Sequence, residues 1–241
     1  MCWRKRHQRR SSDRQSMRRY DHVIFDLDGT LVDTLADLTA AVNYMLTEMG
    51  LPTATPELVR TYIGAGTRKL VERAIASSSE NDVDSGLVLF LHYYREHLLD
   101  QTRPYPGIEK TLALLQREGV VMSLLSNKPA ELSTAILRGL VLLPYFAAVI
   151  GGDSLPVRKP DPGGVERLVK LSAVPAARTV LVGDSLIDAQ TARVGGIAFC
   201  GVTWGFASGD LRALEGIDTI DVPAQLLALI GVSGGENCVG S

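Results

Sequence analysis

The stretch that decides the fold is Phe25-Asp26-Leu27-Asp28-Gly29-Thr30. It closes the apolar run that starts at His22, and these β-branched and aromatic residues predict a buried strand over 22–25. Asp26 and Asp28 are two residues apart, so on a strand they point to the same side, and Gly29 then lets the chain turn. Taken alone, this pattern also fits a strand end followed by a polar turn. Two carboxylates that repel each other at a strand end nevertheless call for a cation or a proton between them.

The sequence after residue 107 alternates between amphipathic helices and short apolar strands. We predict strands at 120–125, 147–150, 179–182 and 197–201, each preceded by a helix. Continuous apolar strands that alternate with helices are typical of a parallel sheet covered on both faces. Ligands of such α/β sheets bind outside the carboxyl ends of the strands.

Residues 35–103 break this alternation, because they contain helical patterns and no convincing strand. Apolar residues from Leu35 to Met49 recur at helical spacing, and further helices are predicted after Thr55, from Thr67 to Ala76 and from Leu87 to Leu99, with a polar loop over 77–85. We therefore predict two core segments, 20–34 and 104–232, around a helical insertion at 35–103.

The two ends of the chain differ from this core in composition. Residues 1–20 carry eight basic side chains and one acidic one, although the whole 241-residue chain has a net charge of −2. Residues 1–19 are predicted to be a disordered basic leader and 233–241 a flexible tail. The leader lacks the apolar segment of a secretory signal. It could be a nucleic-acid-binding arm or a targeting peptide. We favour a disordered tail, or translation that starts at Met17, because residues 1–16 offer almost nothing to pack.

Cysteine content and hydropathy narrow the class of protein further. Cys2, Cys200 and Cys238 are few, odd in number and without metal-ligand spacing, which suits a reducing cytoplasm. No apolar run reaches the 18 to 20 residues of a membrane span. The composition, 46% hydrophobic and 22% charged, is that of an ordinary globular domain.

Polar residues follow three later strands, as they follow the first. Ser126-Asn127-Lys128 comes after the strand at 120–125, Lys159 lies in the proline-flanked turn 158–162, and Asp184 and Asp188 follow the strand at 179–182. Each could be an ordinary helix cap or a solvated loop residue. Together they bring carboxylates, a hydroxyl and an ammonium group to one sheet edge, which suits Mg²⁺ and a phosphate. No cluster of histidine and cysteine points to zinc.

These motifs, in this order, resemble the four motifs of the haloacid dehalogenase superfamily of phosphohydrolases. They are Asp-Leu-Asp-Gly-Thr at 26–30, Ser-Asn-Lys at 126–128, Lys-Pro-Asp-Pro at 159–162 and Gly-Asp-Ser-Leu-Ile-Asp at 183–188. The resemblance covers residues 21 to about 230 and implies a Rossmann-like doubly wound core with a type-1 helical cap at 35–103. Residues 62–67 and 201–206 are similar to phosphoglycolate phosphatases.

The resemblance implies a role for each core residue. Asp26 would attack phosphorus and form an aspartyl phosphate, and Asp28 would protonate the leaving group and later activate water. Ser126 and Lys159 would bind phosphoryl oxygens, with Lys159 also paired to Asp26. Mg²⁺ would be held by Asp26, the backbone carbonyl of Asp28 and Asp184. Gly29, Thr30 and Asn127 would contact the substrate. Asp188 would orient Lys159 or a metal-bound water.

The cap is expected to choose the substrate. Gly64 and Gly66 interrupt its helical pattern and are predicted to enter the site, where absent side chains leave room. Arg68 is a candidate for binding a substrate carboxylate, although a helix-surface arginine would look the same. The expected reaction is hydrolysis of a small phosphate monoester, 2-phosphoglycolate to glycolate and phosphate, with closure hinged near Asp33 and residues 103–104.

Other functions share parts of this pattern. A phosphomutase would have the same core motifs, and pyrophosphate or a nucleoside monophosphate are rival substrates. A dehalogenase would not need Asp28, and a phosphonate hydrolase would need an inward lysine in the cap, where Lys69 is the only lysine. The non-enzymatic alternative is a regulatory or nucleic-acid-associated protein that uses the basic leader. The intact motifs disfavour this alternative. The oligomeric state is expected to be a monomer or a homodimer.

Overall fold

The computed structural model describes residues 18–76, 79–211 and 216–232. Within them, the strands in chain order are β1 His22–Phe25, β2 Val32–Asp33, β3 Arg103–Pro104, β4 Val121–Leu125, β5 Ala148–Ile150, β6 Thr179–Gly183, β7 Ala198–Val202 and β8 Asp218–Ile220. Six of them form one parallel sheet in the order β5-β4-β1-β6-β7-β8, and β2 pairs with β3. The sheet confirms the predicted α/β class.

The helices of the described residues fall into two groups. Those of the core around the sheet are α5 Ile108–Arg117, α6 Ala130–Gly139, α7 Gly163–Ser172, α8 Leu186–Val194, α9 Ser208–Leu211 and, after the last strand, α10 Gln225–Ile230. Those inserted between β2 and β3 are α1 Leu35–Glu48, α2 Pro56–Arg60, α3 Thr67–Ile75 and α4 Glu80–Glu96. None of these helices combines the length and the apolar character that crossing a bilayer requires.

Strand β1 lies at the centre of the sheet and is buried throughout. Its residues alternate between two cores: Val23 and Phe25 belong to the larger one, and Ile24 packs with the smaller one on the other face. The chain runs outward from β1 through β4 to β5, then returns to β6 on the opposite side of β1. This reversal opens a crevice beyond the carboxyl ends of β1 and β6, where α/β sheets bind their ligands.

The cap joins the core through two adjacent strands. Val32 lies opposite Pro104 and Asp33 opposite Arg103 in the antiparallel β2–β3 pair. At the base of α1, the buried carboxylate of Asp37 accepts hydrogen bonds from the amides of Gln101 and Thr102 at 2.8–3.1 Å and from the Thr102 hydroxyl at 2.7 Å. The outgoing and returning linkers are therefore fastened to each other.

Three sequence predictions differ from the structure. The polar loop expected over 77–85 is in its described part mostly helix, because α4 begins at Glu80 and buries Val83 on the same face as Phe90. The edge strand β8 was missed, since only one of its three residues is buried.

The predicted leader ended at residue 19, yet Arg18 donates to the carbonyl of Glu118 at 2.8 Å and the amide of Arg19 to the carbonyl of Ile230 at 2.8 Å. These two residues therefore belong to the fold. Residues 1–17 and the predicted tail, 233–241, lie outside the described residues.

Candidate active site

Three acidic side chains converge beyond the ends of β1 and β6. Asp26 follows β1 directly, and its amide donates to the Val182 carbonyl at 3.0 Å, which extends the β1–β6 ladder. Asp184 follows β6, and Asp188 lies in the first turn of α8. All three are buried, and one carboxylate oxygen from each lies within 4.8 Å of the other two. Buried, hard oxygen donors this close together fit a divalent cation.

Glycines make this convergence sterically feasible. Gly29 adopts a φ of +82°, and a Cβ added to it would lie 2.3 Å from Oδ2 of Asp184. A Cβ on Gly205 would lie 2.2 Å from the Cβ of Asp184. Real Cβ contacts are never this short, so only glycine at both positions lets the carboxylate reach the first strand end.

Lys159 provides the positive charge inside this acidic cluster. Its ammonium lies 2.8 Å from Oδ1 of Asp26 and 2.6 Å from Oδ1 of Asp188. The other oxygen of Asp188 accepts hydrogen bonds from the Ser185 amide at 3.2 Å and the Ser185 hydroxyl at 2.5 Å, which also caps α8. Asp188 is thereby fixed in the orientation in which it holds Lys159.

The cluster is short of positive charge. Burial raises the pKa of Asp184 to about 8, with Asp188 and Asp26 adding to the rise and the amides of Phe206 and Ala207 opposing it. Burial also raises the pKa of Asp26 to about 6, although Lys159 acts in the opposite direction. Three carboxylates that share one ammonium group therefore favour a bound cation or proton, which is the charge balance a metal site needs.

Asp28 sits beside this cluster and has its own cation. Its Oδ1 accepts hydrogen bonds from the Thr34 hydroxyl at 2.8 Å and from Nζ of Lys128 at 2.6 Å. Nζ of Lys128 also donates to the hydroxyl of Tyr94, on cap helix α4, at 2.8 Å. Burial lowers the pKa of Lys128, but Asp28 and Tyr94 outweigh it, so the pKa is raised overall and the ammonium stays charged.

The loop after β4 supplies the polar wall opposite the acids. Ser126 is buried, and its hydroxyl accepts the Lys128 amide at 3.3 Å. The side-chain nitrogen of Asn127 donates to the carbonyl of Lys159 at 3.0 Å and to that of Gly64, in the cap, at 3.0 Å. The sequence assigned Asn127 to the substrate, whereas its amide nitrogen is engaged in holding the cap against the core.

A small cavity, partly open to solvent, lies between cap and core. Its volume is about 50 Å³, so it suits a ligand of few heavy atoms. The core contributes Asp26, Asp28, Ser126, Asn127, Lys128, Asp184, Ser185, Phe206 and Ala207, and the cap contributes Leu38, Arg60, Ile63, Gly64, Gly66, Thr67, Leu70, Phe90 and Tyr94. Gly64 and Gly66 thus lie at the cavity, where the sequence predicted them.

Four residues that the sequence predicted to contact the substrate do not line this cavity. The side chain of Arg68 on α3 is 42% exposed and forms an ion pair with Asp84 of α4. Arg68 is therefore a helix-surface arginine, the alternative that the sequence left open. Thr30 lines a separate apolar pocket together with Trp204, whose indole donates to the Thr30 carbonyl at 3.1 Å. Gly29 borders Asp184 instead of the cavity, and Lys159 sits behind Asp26.

Arg60 occupies the position that the sequence assigned to Arg68. It lies at the end of α2, lines the cavity and donates to the carbonyls of Phe206 at 2.6 Å and Gly205 at 2.7 Å. The amide of Phe206 in turn donates to Asp184 at 2.6 Å. Nothing in the local sequence separates Arg60 from Arg68, because only the packing of cap on core decides which arginine faces inward.

Known proteins share both the sequence and the fold. Residues 23–202 match the family described as haloacid dehalogenase-like hydrolase. The chain is 39% identical over 202 residues to a phosphoglycolate phosphatase of Neisseria gonorrhoeae, covering 82% of this chain and 85% of that one. It is 42% identical over 194 residues to phosphoglycolate phosphatase 1 of Pseudomonas aeruginosa, covering 78% and 71%.

Among solved structures, a putative phosphoglycolate phosphatase of Lactobacillus delbrueckii subsp. bulgaricus superposes with a TM-score of 0.82 at 33% identity, covering 88% of this chain and 99% of that one. The relatives match along both the core and the cap, and the acidic cluster lies within the matched range. The chain therefore belongs to the haloacid dehalogenase-like hydrolase family and is a phosphoric monoester hydrolase.

Proposed function

We propose that this protein is a Mg²⁺-dependent phosphatase whose substrate is 2-phosphoglycolate or a phosphate ester of similar size and charge. The observation that carries the proposal is the small cavity between cap and core, which unites Asp26, Asp28 and one cap cation, Arg60. A phosphate group and a two-carbon acid match its size and charge. The names of the relatives support the same substrate.

In the proposed reaction, a carboxylate oxygen of Asp26 attacks phosphorus and the bond from phosphorus to the ester oxygen breaks. Asp28 gives its proton to the departing alkoxide. A water molecule then attacks the phosphorus of the aspartyl phosphate and loses its proton to Asp28. The bond between phosphorus and Asp26 breaks, and inorganic phosphate leaves with the enzyme restored.

The surrounding side chains bind and orient during these steps. Lys159 holds Oδ1 of Asp26 at 2.8 Å and keeps the nucleophile in one orientation. The Ser126 hydroxyl, which lies at the cavity, offers a donor to the phosphoryl oxygens. The metal would be held by Asp26, Asp184 and the backbone carbonyl of Asp28, with Asp188 close by. When bound, Mg²⁺ supplies the positive charge that offsets repulsion between the nucleophile and the phosphate.

Discrimination between phosphate esters falls to the cap, because the core groups contact only the phosphoryl end. Among the described residues that line the cavity, Arg60 and Lys128 carry positive charge, and Lys128 is already paired with Asp28. Arg60 is therefore our candidate for the substrate carboxylate, in place of Arg68. Its two hydrogen bonds to Gly205 and Phe206 use Nε and Nη2 and hold the guanidinium at the cavity wall.

The test is a substrate panel with Mg²⁺ and with the metal removed by a chelator. Phosphoglycolate should be hydrolysed faster than glucose 6-phosphate, pyrophosphate or AMP, and a chelator should abolish all turnover. Faster turnover of glucose 6-phosphate would overturn the substrate assignment. Transfer of phosphate between sugar positions, without release, would identify a mutase.

A matched pair of variants tests the carboxylate assignment. Arg60→Ala should lower kcat/KM for phosphoglycolate about tenfold more than for ethyl phosphate, since a charged hydrogen bond is lost at a partly exposed site. Arg68→Ala, which removes an exposed cap arginine, should change neither substrate. Equal losses with both esters in Arg60→Ala would restrict Arg60 to a structural contact.

The remaining proposals concern the compartment and the binding partners of the protein. A buried free thiol at Cys200 favours a reducing compartment, and we propose the cytoplasm. The partner is a small phosphate ester, with nucleic acid disfavoured, and gel filtration would decide between a monomer and a homodimer.

A further inference from the structure

A buried chain of three polar side chains connects the cap to Asp28. Tyr94 of α4 is fully buried, and its hydroxyl accepts a hydrogen bond from Nζ of Lys128 at 2.8 Å. The same ammonium donates to Oδ1 of Asp28 at 2.6 Å. It also lies 4.9 Å from the centre of the Tyr94 ring. A cap residue and a core carboxylate thus share one buried cation.

Neither Lys128 nor Tyr94 has a role in the proposed reaction so far. Lys159 holds the nucleophile and Ser126 serves the phosphoryl oxygens, whereas Lys128 is a second ammonium that is only 6% exposed. A buried charge is costly unless it is paired and hydrogen-bonded. Its partners here come from both domains, so its full set of contacts exists only when the cap lies on the core.

The contacts also select one oxygen of Asp28. Lys128 and the Thr34 hydroxyl both bind Oδ1, at 2.6 and 2.8 Å. This leaves Oδ2 as the oxygen that can exchange a proton with a leaving group or a water. A carboxylate held on one oxygen by two donors loses rotational freedom, and orientation of this kind contributes directly to proton transfer.

We propose that Tyr94, acting through Lys128, is a positioning residue that fixes Asp28 for proton transfer when the cap closes. Closure would then complete the acid–base group as well as enclose the substrate. The inference rests on the proposed function, because it takes Asp28 as the acid and base. It assigns Tyr94 no contact with the reacting atoms.

Leaving-group dependence isolates this role. An alkoxide needs a proton as it departs, whereas the acetate released from acetyl phosphate does not. The value of kcat/KM reports steps only through the first irreversible one, so it is insensitive to the later attack by water. The test therefore compares two alkyl esters, phosphoglycolate and ethyl phosphate, with acetyl phosphate. The quantity measured is kcat/KM at saturating Mg²⁺.

The variant is Tyr94→Phe, which keeps the ring and removes the hydroxyl. Loss of positioning should lower kcat/KM about tenfold for both alkyl esters and less than about threefold for acetyl phosphate. A tenfold loss is a fraction of the roughly 10²–10⁴-fold that acid–base catalysis contributes. The matched control is Tyr93→Phe on the same helix, where the ring is half-buried and stacks on Tyr44 and His97. It should leave all three substrates unchanged.

Equal losses for the alkyl esters and acetyl phosphate would overturn the proposal, since a structural effect on closure would not distinguish leaving groups. No loss with any substrate would overturn it as well. A second measurement places Tyr94→Phe in a Lys128→Met background. If Tyr94 acts through Lys128, the tyrosine substitution should then have no further effect on the alkyl esters, and additive losses would refute the connection.

Asp28→Asn separates a failure of this inference from a failure of the proposed function. If Asp28 is the acid, Asp28→Asn slows the alkyl esters far more than acetyl phosphate. If Asp28→Asn gives this result and Tyr94→Phe leaves kcat/KM unchanged, the role of Tyr94 is refuted and the proposed function stands. Equal effects of Asp28→Asn on both substrate types remove the acid–base role itself.

Discussion

Replacing Gly29 with alanine should damage the metal site from a distance. Gly29 has a φ of +82°, and an alanine in this conformation costs about 1–2 kcal/mol of backbone strain. Its Cβ would also lie 2.3 Å from Oδ2 of Asp184. Because ordinary van der Waals contacts begin near 3.4 Å, the carboxylate must retreat by about 1 Å or the backbone must shift.

The magnitude follows from these two costs. Overpacking of this kind adds about 1–3 kcal/mol to the strain, so Gly29→Ala should lower the free energy of unfolding by about 2–5 kcal/mol in total. Metal–oxygen distances tolerate only about 0.2 Å of error. A displaced Asp184 should therefore raise the dissociation constant for Mg²⁺ at least tenfold, or by about 1.4 kcal/mol.

Gly119 provides a matched control. It has a φ of +73°, but a Cβ added there would meet no atom within 4 Å. Gly119→Ala should therefore cost only the strain, about 1–2 kcal/mol, and leave Mg²⁺ binding unchanged. Urea unfolding without metal gives the stability of each variant, and titration calorimetry gives the Mg²⁺ affinity. If Gly29→Ala bound Mg²⁺ as tightly as the unsubstituted protein, the steric account of Gly29 would be refuted.

Three further predictions concern the nucleophile, the cap and a buried histidine. Asp26→Asn should lower phosphatase turnover by at least about a thousandfold, measured as phosphate release with a mass check that no deamidation has restored Asp26. Gly66→Leu should lower kcat/KM about tenfold with Mg²⁺ binding intact, since its φ is +92° and a Cβ would lie 3.1 Å from the Asn127 carbonyl oxygen; an unchanged kcat/KM would remove Gly66 from the substrate path. Burial lowers the pKa of His22 to about 4, so its neutral form is favoured by folding. The contribution of neutral His22 to the free energy of unfolding is complete above pH 6.5 and is lost as pH falls toward 4, by about 1.4 kcal/mol per pH unit. Urea unfolding should show this loss in the unsubstituted protein relative to His22→Gln. Parallel pH profiles of stability for the two proteins would contradict it.

The position of the core residues at one sheet edge could be predicted, because strand order is not needed to know where parallel strands end. Asp26, Ser126 and Asp184 each follow an apolar run, and their convergence is a consequence of one sheet edge. The pairing of Lys159 with Asp26 was implied by the resemblance, and the structure contains it at 2.8 Å.

The cap contacts could not be predicted in the same way. Arg60 and Arg68 stand on short helices with similar neighbours, and their direction depends on how the cap rests on the core. The structure turns Arg60 toward Gly205 and Phe206 and leaves Arg68 in solvent with Asp84. The partner of Lys128 could not be inferred from its sequence neighbours either, since Tyr94 is 34 residues away and belongs to the cap.

The paired linkers have a consequence for how such an enzyme can be altered. Strands β2 and β3 lie side by side, and Asp37 connects the start of the cap to its end. The cap therefore leaves and re-enters the core at two adjacent points, as a short loop would. Any helical segment that ends in the same two-strand clasp would therefore be topologically equivalent. Substrate range can then diverge by wholesale exchange of this segment, in evolution or in a chimera spliced at Asp33 and Arg103, while the core keeps its nucleophile and its acidic cluster, provided that the new segment brings its own partner for Lys128.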